Sequence, residues 1–277
     1  MKFIGEIGIN HNGSLLNAIK LIYLAKSHKL SMVKFQKRNP DQCIPAHMKN
    51  QPKKFEGKEM TYIEYKYKVE FWEKEYDVIN SLCSSLGIEW TTSVWDSDSV
   101  EFMGRYKYDI PFLKIPSPCI TNADLIKAIN KTDIPVIISD GMSTVDEVDN
   151  AINSIKNLKG IFHCYSAYPS EKADEFDLNV INTYKKEYPN LEVGYSGHEV
   201  QSNLTPTIIA TVLGVDYIER HITLSTSMEG SDHSFSLDDL HLKKVLNAIN
   251  NTKSLLGKDK VSCYPSEEIA KEKLRQW

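Results

Sequence analysis

Short runs of β-branched and apolar residues alternate with amphipathic stretches along nearly the whole chain, the pattern of parallel strands each followed by a crossover helix. Eight strands are predicted, at residues 3–7, 32–35, 89–92, 112–115, 136–139, 161–164, 192–195 and 217–221. Helical periodicity falls between them at 14–27, 71–86, 122–130, 145–155, 179–187 and 204–213. Eight β/α units in about 250 residues predict an α/β protein of the (β/α)8 TIM-barrel type, a single domain over 1–257. A last helix is expected to start at a capping box of Ser236 with Asp239 and to stop at Gly257. Residues 258–277 then form a short polar helical tail. The connection 38–70 carries three prolines and many lysines and tyrosines, and its length predicts a lid or substrate loop.

Composition narrows the function classes. The 277 residues carry 33 Lys+Arg against 37 Asp+Glu, a formal charge of -4 without long runs of either sign, which points to neither nucleic acid nor a membrane surface as partner. The start MKFIGEIGIN has no apolar secretory core, and no stretch approaches the roughly 20 apolar residues of a membrane span. Five scattered cysteines without a CxxC pair fit reduced thiols, so the expected location is cytoplasmic.

In such barrels reacting groups stand at the C-terminal ends of the strands. Here those ends are polar: Glu6 on the first strand, Lys34 and Gln36 on one face of the second, Lys114 on the fourth, Ser139 on the fifth, Ser196 and His198 after the seventh, Glu219 and His221 on the eighth. Two lysines, two glutamates and two histidines converging on one mouth are costly to bury without a charged ligand. His198 and His221 lie on neighbouring strands about 4.8 Å apart, so inward imidazoles at matching height can share one divalent ion; two unrelated histidines are the plainer alternative. Two protein ligands leave room for water and substrate oxygen, which suits Lewis-acid chemistry. Lys34 and Lys114 with Ser117, Ser139 and Ser196 supply donors that suit a phosphate, aided by backbone amides of SDGM (139–142) and YSGH (195–198); each serine alone also reads as a turn residue or cap. His163 reads as a satisfied core histidine and Cys164 as a small core residue.

These residues resemble the sialic acid synthase family, the phosphoenolpyruvate-dependent synthases of N-acetylneuraminate and related nonulosonates. The matching stretches are EIGINHNGS (6–14), VKFQ (33–36), FLKIPSP (112–118), SDGMST (139–144), HCYSAYP (163–169), VGYSGHE (193–199), IERHIT (218–223) and GSDHSFS (230–236), in order over nearly the entire chain. The resemblance implies the same barrel, a manganese-type ion on His198 and His221, and a catalytic carboxylate at Glu6. It further implies phosphoenolpyruvate on Lys34, Lys114, Ser117, Ser139, Ser196 and, more weakly, Ser93, with an acceptor aldose near Glu6, Gln36, Tyr168 and Asp232. A homodimer is implied in the same way. Three departures stand out: Cys119 where the family commonly has glutamate, Gly197 where it often has aspartate, and an end near Trp277, which leaves out the small antifreeze-like domain that usually follows the barrel.

Three other readings stay open. The barrel suits a synthase of another 3-deoxy-2-keto acid of the octulosonate type, although no second basic cluster for a further phosphate is visible. Lys114 is able to act as a Schiff-base nucleophile. The departures also fit a catalytically silent sugar-binding homologue. Tyr62, Tyr65 and Lys66 in the 38–70 segment are candidates for acceptor selection or for a solvated face.

Overall fold

The structure, a computed structural model, describes residues 1–276. Its ten strands are β1 (Lys2–Gly8), β2 (Met32–Lys37), β3 (Pro52–Phe55), β4 (Lys58–Thr61), β5 (Glu89–Val94), β6 (Leu113–Ile115), β7 (Val136–Ser139), β8 (Leu158–Cys164), β9 (Glu192–Gly197) and β10 (Tyr217–His221). Eight of them close a parallel barrel in the order β1-β10-β9-β8-β7-β6-β5-β2, while β3 and β4 form a separate antiparallel hairpin. All eight predicted strands are barrel strands, and each predicted helix is present to within two residues at either end. Outside the 38–70 connection, the α-helix Ser97–Met103 escaped the periodicity reading; Asp96 caps it by accepting the Ser99 amide at 2.8 Å.

Strand alternation divides the apolar residues between two compartments. Ile4, Met32, Phe112, Ile137, Phe162 and Tyr217 fill the barrel interior, and Phe112 and Phe162 both pack on the Tyr217 ring. The opposite faces pack against the helices in a larger cluster that includes Val33, Phe35, Leu113, Ile138, Ile161 and Ile218. The interior apolar layer is the floor on which the polar mouth rests.

The 38–70 segment is a small folded cap rather than an open loop. It contains helices Pro40–Cys43, Ala46–Lys49 and Tyr62–Lys68 besides the hairpin, and Phe55, Tyr65 and Val69 bury a third cluster against Ile9. Tyr65 therefore packs inside the cap, whereas Tyr62 and Lys66 reach the barrel mouth.

The expected Ser236–Asp239 capping box is not formed. Asp238 is the N-cap of helix Asp239–Leu256 and accepts the His241 amide at 3.0 Å. Ser236 is buried instead, accepting from Asn10 Nδ2 at 2.9 Å and donating to the Asp232 carbonyl at 2.5 Å. A carboxylate two residues nearer the helix outcompetes the hydroxyl for the free amides. Gly257 ends the helix with φ +61°, as expected. Beyond it the helix Pro265–Leu274 is exposed throughout, and Trp277, the last residue of the expected tail, lies outside the described residues. No helix among the described residues is long and apolar enough to cross a membrane.

A buried ion pair backs β9 and β10. Arg220 Nη1 lies 2.7 Å from Glu199 Oε1, Arg220 Nη2 donates to the Glu199 carbonyl at 2.6 Å, and Tyr195 and Thr207 donate to the same carboxylate at 3.0 and 2.6 Å. A Cβ at Gly197 would stand 2.4 Å from Glu199 Oε2 and 2.9 Å from Arg220 Cδ, so a side chain at this position would push into the network. Arg220→Met strands a buried carboxylate and is expected to lower stability by about 3–5 kcal/mol. Urea denaturation checks this; a loss below about 1 kcal/mol contradicts the assigned role.

Candidate active site

Strand register brings the predicted residues to one height. Glu6 on β1 is paired with Lys34 on β2 and with His221 on β10; Gln36 is paired with Ser93, Ser93 with Lys114, and Glu219 with Ser196. Their side chains open into a cavity of about 390 Å³ at the C-terminal end of the barrel. All twelve candidates line it: Glu6, Lys34, Gln36, Ser93, Lys114, Ser117, Ser139, Tyr168, Ser196, His198, His221 and Asp232.

At its base two lysines and two glutamates are almost wholly buried together. Lys34 Nζ lies 2.8 Å from Glu6 Oε2 and 3.7 Å from Glu219 Oε1, and donates to Ser93 Oγ at 2.7 Å. Lys114 Nζ donates to Glu219 Oε1 at 2.8 Å, and Ser196 Oγ donates to the same oxygen at 3.0 Å. Gln36 Nε2 donates to Glu6 Oε1 at 2.9 Å. Sequence reasoning counted Glu219 among the polar strand ends without giving it a role, yet it joins the two lysines. Its inward position, two residues from His221 on one strand, was the available signal.

Burial and mutual charge set the protonation of this group. Burial raises the Glu6 pKa, and Lys34 only partly opposes it while Glu219 adds to it. Burial also pushes Glu219 upward, but Lys114 and Lys34 outweigh it and hold Glu219 below the ordinary carboxylate range. Burial lowers Lys114 despite Glu219, whereas for Lys34 the two carboxylates overcome burial and raise it. Glu219 is thus the fixed anion and Glu6 the carboxyl nearer to exchanging a proton.

His198 and His221 stand side by side with ring centroids 5.5 Å apart. Burial lowers them to about 4 and about 3, leaving neutral imidazoles at pH 7. His221 Nδ1 has no hydrogen-bond partner and lies 3.9 Å from Asp232 Oδ2; His198 Nδ1 lies 3.7 Å from Cys164 Sγ. Neutral rings with a buried, unpartnered nitrogen beside a carboxylate fit a divalent ion. Among the described residues no cluster of three or more His, Cys, Asp or Glu ligands occurs, so such an ion would take its remaining ligands from water and substrate.

Other expectations sort cleanly. The Ser139 hydroxyl is buried without a partner, as a group awaiting a ligand would be. Tyr168 covers His198 edge-on at 4.5 Å between centroids. His163 is satisfied at both ring nitrogens, by Asp140 Oδ2 at 2.7 Å and the Phe176 carbonyl at 2.8 Å, and stays outside the cavity. Cys164 is buried yet lines the cavity wall, so it is more than a core filler. Cys119 turns its sulfur toward the Trp95 carbonyl at 3.6 Å and faces a neighbouring groove. Where no second basic cluster was visible in the sequence, the fold brings Arg38 and Lys66 together on the outer wall. The 27 residues of cap between them hide that proximity.

A polar pocket at the C-terminal mouth of a (β/α)8 barrel is where enzymes of this fold carry their active sites. Residues 21–261 match the NeuB family, and the chain belongs to that family. It is 34% identical over 90% of its length to N-acetylneuraminate-9-phosphate synthase of Drosophila melanogaster, spanning 67% of that protein. It is 33% identical over 92% of its length to N,N'-diacetyllegionaminic acid synthase of Legionella pneumophila, spanning 72% of it. The crystal structure of an N-acetylneuraminic acid synthetase from Leptospira borgpetersenii superimposes with a TM-score of 0.81 at 25% identity, covering 99% of this chain and 92% of that one.

His163 donates from both nitrogens, and although burial lowers its pKa, the Asp140 hydrogen bond and charge raise it overall. A raised folded-state pKa stabilises the fold fully below the unfolded value of about 6.5, and that contribution fades as pH rises through the folded value. The stability gap between wild type and His163→Gln should therefore narrow from about pH 6 to about pH 9. Denaturation at both pH values checks this; a gap that widens contradicts it.

Proposed function

We propose that this protein joins phosphoenolpyruvate to the aldehyde of an N-acetylmannosamine-like or related aldose, forming a sialic-acid-like 2-keto-3-deoxy sugar acid and phosphate. The observation that carries the reading is one cavity uniting buried Lys34 and Lys114, unpartnered Ser139 and the neutral pair His198 and His221 in a member of the NeuB family. The named products of its relatives, an N-acetylneuraminate phosphate and a diacetyllegionaminic acid, are nonulosonates. In this reading the protein works in the cytoplasm as a homodimer.

Lys34 and Lys114 bind the phosphate and carboxylate of phosphoenolpyruvate, with Ser93, Ser117, Ser139 and Ser196 donating to the oxygens. Gln36, Tyr168 and Asp232 orient the acceptor. A divalent ion, manganese by family resemblance, would be held by His198 and His221 and would supply Lewis-acid polarisation of the aldehyde oxygen. C3 of phosphoenolpyruvate bonds to the aldehyde carbon, leaving an alkoxide there and a cationic C2 that water attacks. Glu6 takes the proton of that water and returns it to the alkoxide. The C2 hydroxyl then loses its proton to the departing phosphate as the C2–O–P link breaks and the ketone forms. In this reading Lys114 serves as a cation: burial lowers its pKa, and the carboxylate of Glu219 at 2.8 Å opposes that shift, as the anionic substrate would when bound.

Phosphate release from phosphoenolpyruvate, followed with and without manganese across a panel of aldoses, tests the reaction. Release that needs both aldehyde and metal is expected, and release that needs neither contradicts the reading. Glu6→Gln is expected to slow turnover by about 10²–10⁴-fold while phosphoenolpyruvate still binds. The acid limb of the wild-type pH profile should lie above the usual carboxylate range and vanish in Glu6→Gln, because Glu6 must be deprotonated to accept the water proton. A near-normal rate in this variant removes Glu6 from the mechanism.

A further inference from the structure

Lys34, Gln36 and Arg38 alternate along β2 and its continuation, so they form an inward ladder that climbs out of the barrel. The rise from Lys34 to Arg38 is about 13 Å at the usual strand spacing. Lys34 belongs to the phosphoenolpyruvate end, and Gln36 bonds both Glu6 and, on its other side, Arg38. Arg38 thus lies beyond the reacting aldehyde, at the far end of an acceptor sugar.

The Arg38 guanidinium is buried on the Trp95 ring, 4.1 Å from its centroid, and its Nε has no hydrogen-bond partner. Facing it from the cap is Lys66, whose Nζ lies 5.2 Å from the Tyr62 ring centroid and 5.3 Å from that of Tyr65. Among the described residues neither cation has a carboxylate within 4 Å, although the charges of Asp232 and Cys43 are felt by Lys66. Burial, reinforced by Arg38, lowers the Lys66 pKa to about 7. Two sequestered cations are left facing one cavity, which widens beside them into a groove of about 670 Å³ that Arg38, Tyr62, Lys66 and Trp95 also line. Such an arrangement is costly unless an anion completes it.

We propose that Arg38 and Lys66 form a binding site for a phosphate on the acceptor, at the end of the sugar remote from its aldehyde. The inference rests on the synthase reading above for which end of the cavity the acceptor occupies. A forked guanidinium with a second cation matches a dianionic phosphate in charge and in donor geometry. The cap carries Lys66, so the same phosphate would tie cap to barrel.

The test compares 2-acetamido-2-deoxy-mannose with its 6-phosphate, by kcat/KM for phosphate release and by equilibrium binding of the two corresponding alditols, which cannot react. Wild type should prefer the phosphorylated member of each pair by roughly 10- to 100-fold, and Arg38→Gln and Lys66→Met should each collapse most of that preference. Equal binding of the two alditols, or a preference that survives both substitutions, overturns the proposal whether or not either aldose reacts. Preferential, Arg38-dependent binding without turnover upholds the phosphate site and counts against the synthase reading instead.

Discussion

Everything at the mouth of this barrel depends on the contact between Lys114 and Glu219. A lone ammonium on an inward strand position would be expelled or neutralised, because the floor beneath it is apolar and water is scarce. Glu219 opposes that effect of burial on Lys114, reaches Lys34 as well, and takes the Ser196 hydroxyl. With Glu219 fixed as an anion and Glu6 pushed toward protonation, the group tends toward net positive charge. That bias suits an anionic ligand, whose oxygens can take over donors now turned on carboxylates.

The surrounding architecture serves this arrangement. Ile4, Met32, Phe112, Ile137, Phe162 and Tyr217 close the barrel below, so the charges are approached only from the strand ends. The Glu199–Arg220 pair braces β9 and β10, the strands that carry Ser196, Glu219 and His221 and run up to His198. The folded cap supplies the upper wall. Its apolar cluster against Ile9 holds Tyr62 and Lys66 over the cavity, where a loop without a core would leave them in solvent.

The fold was legible because periodicity reports which face of each strand is buried, and eight short apolar runs left little choice of architecture. That nine of the twelve candidates would share one mouth was legible because polar side chains at or just past strand ends contradict that burial pattern; Ser93, Tyr168 and Asp232 were suggested by the family resemblance alone, and all twelve line the one cavity. Pairings across the barrel were not legible. Lys114 and Glu219 are separated by 105 residues, and only closure of the sheet brings them together. Arg38 was not singled out, since nothing local announces that Trp95 will bury it. Ser236 misled for a local reason: two capping candidates stood two residues apart, and tertiary bonds from Asn10 and to Asp232 claimed one of them.

Calorimetric titration of phosphoenolpyruvate into wild type, Lys34→Met and Lys114→Met tests the central claim most directly, namely that this buried charge cluster exists to hold an anionic substrate. Binding to wild type, weakened by roughly 100-fold or more in each variant while cooperative unfolding is retained, is the predicted result. Undiminished binding in folded variants, or no binding to wild type, would contradict it.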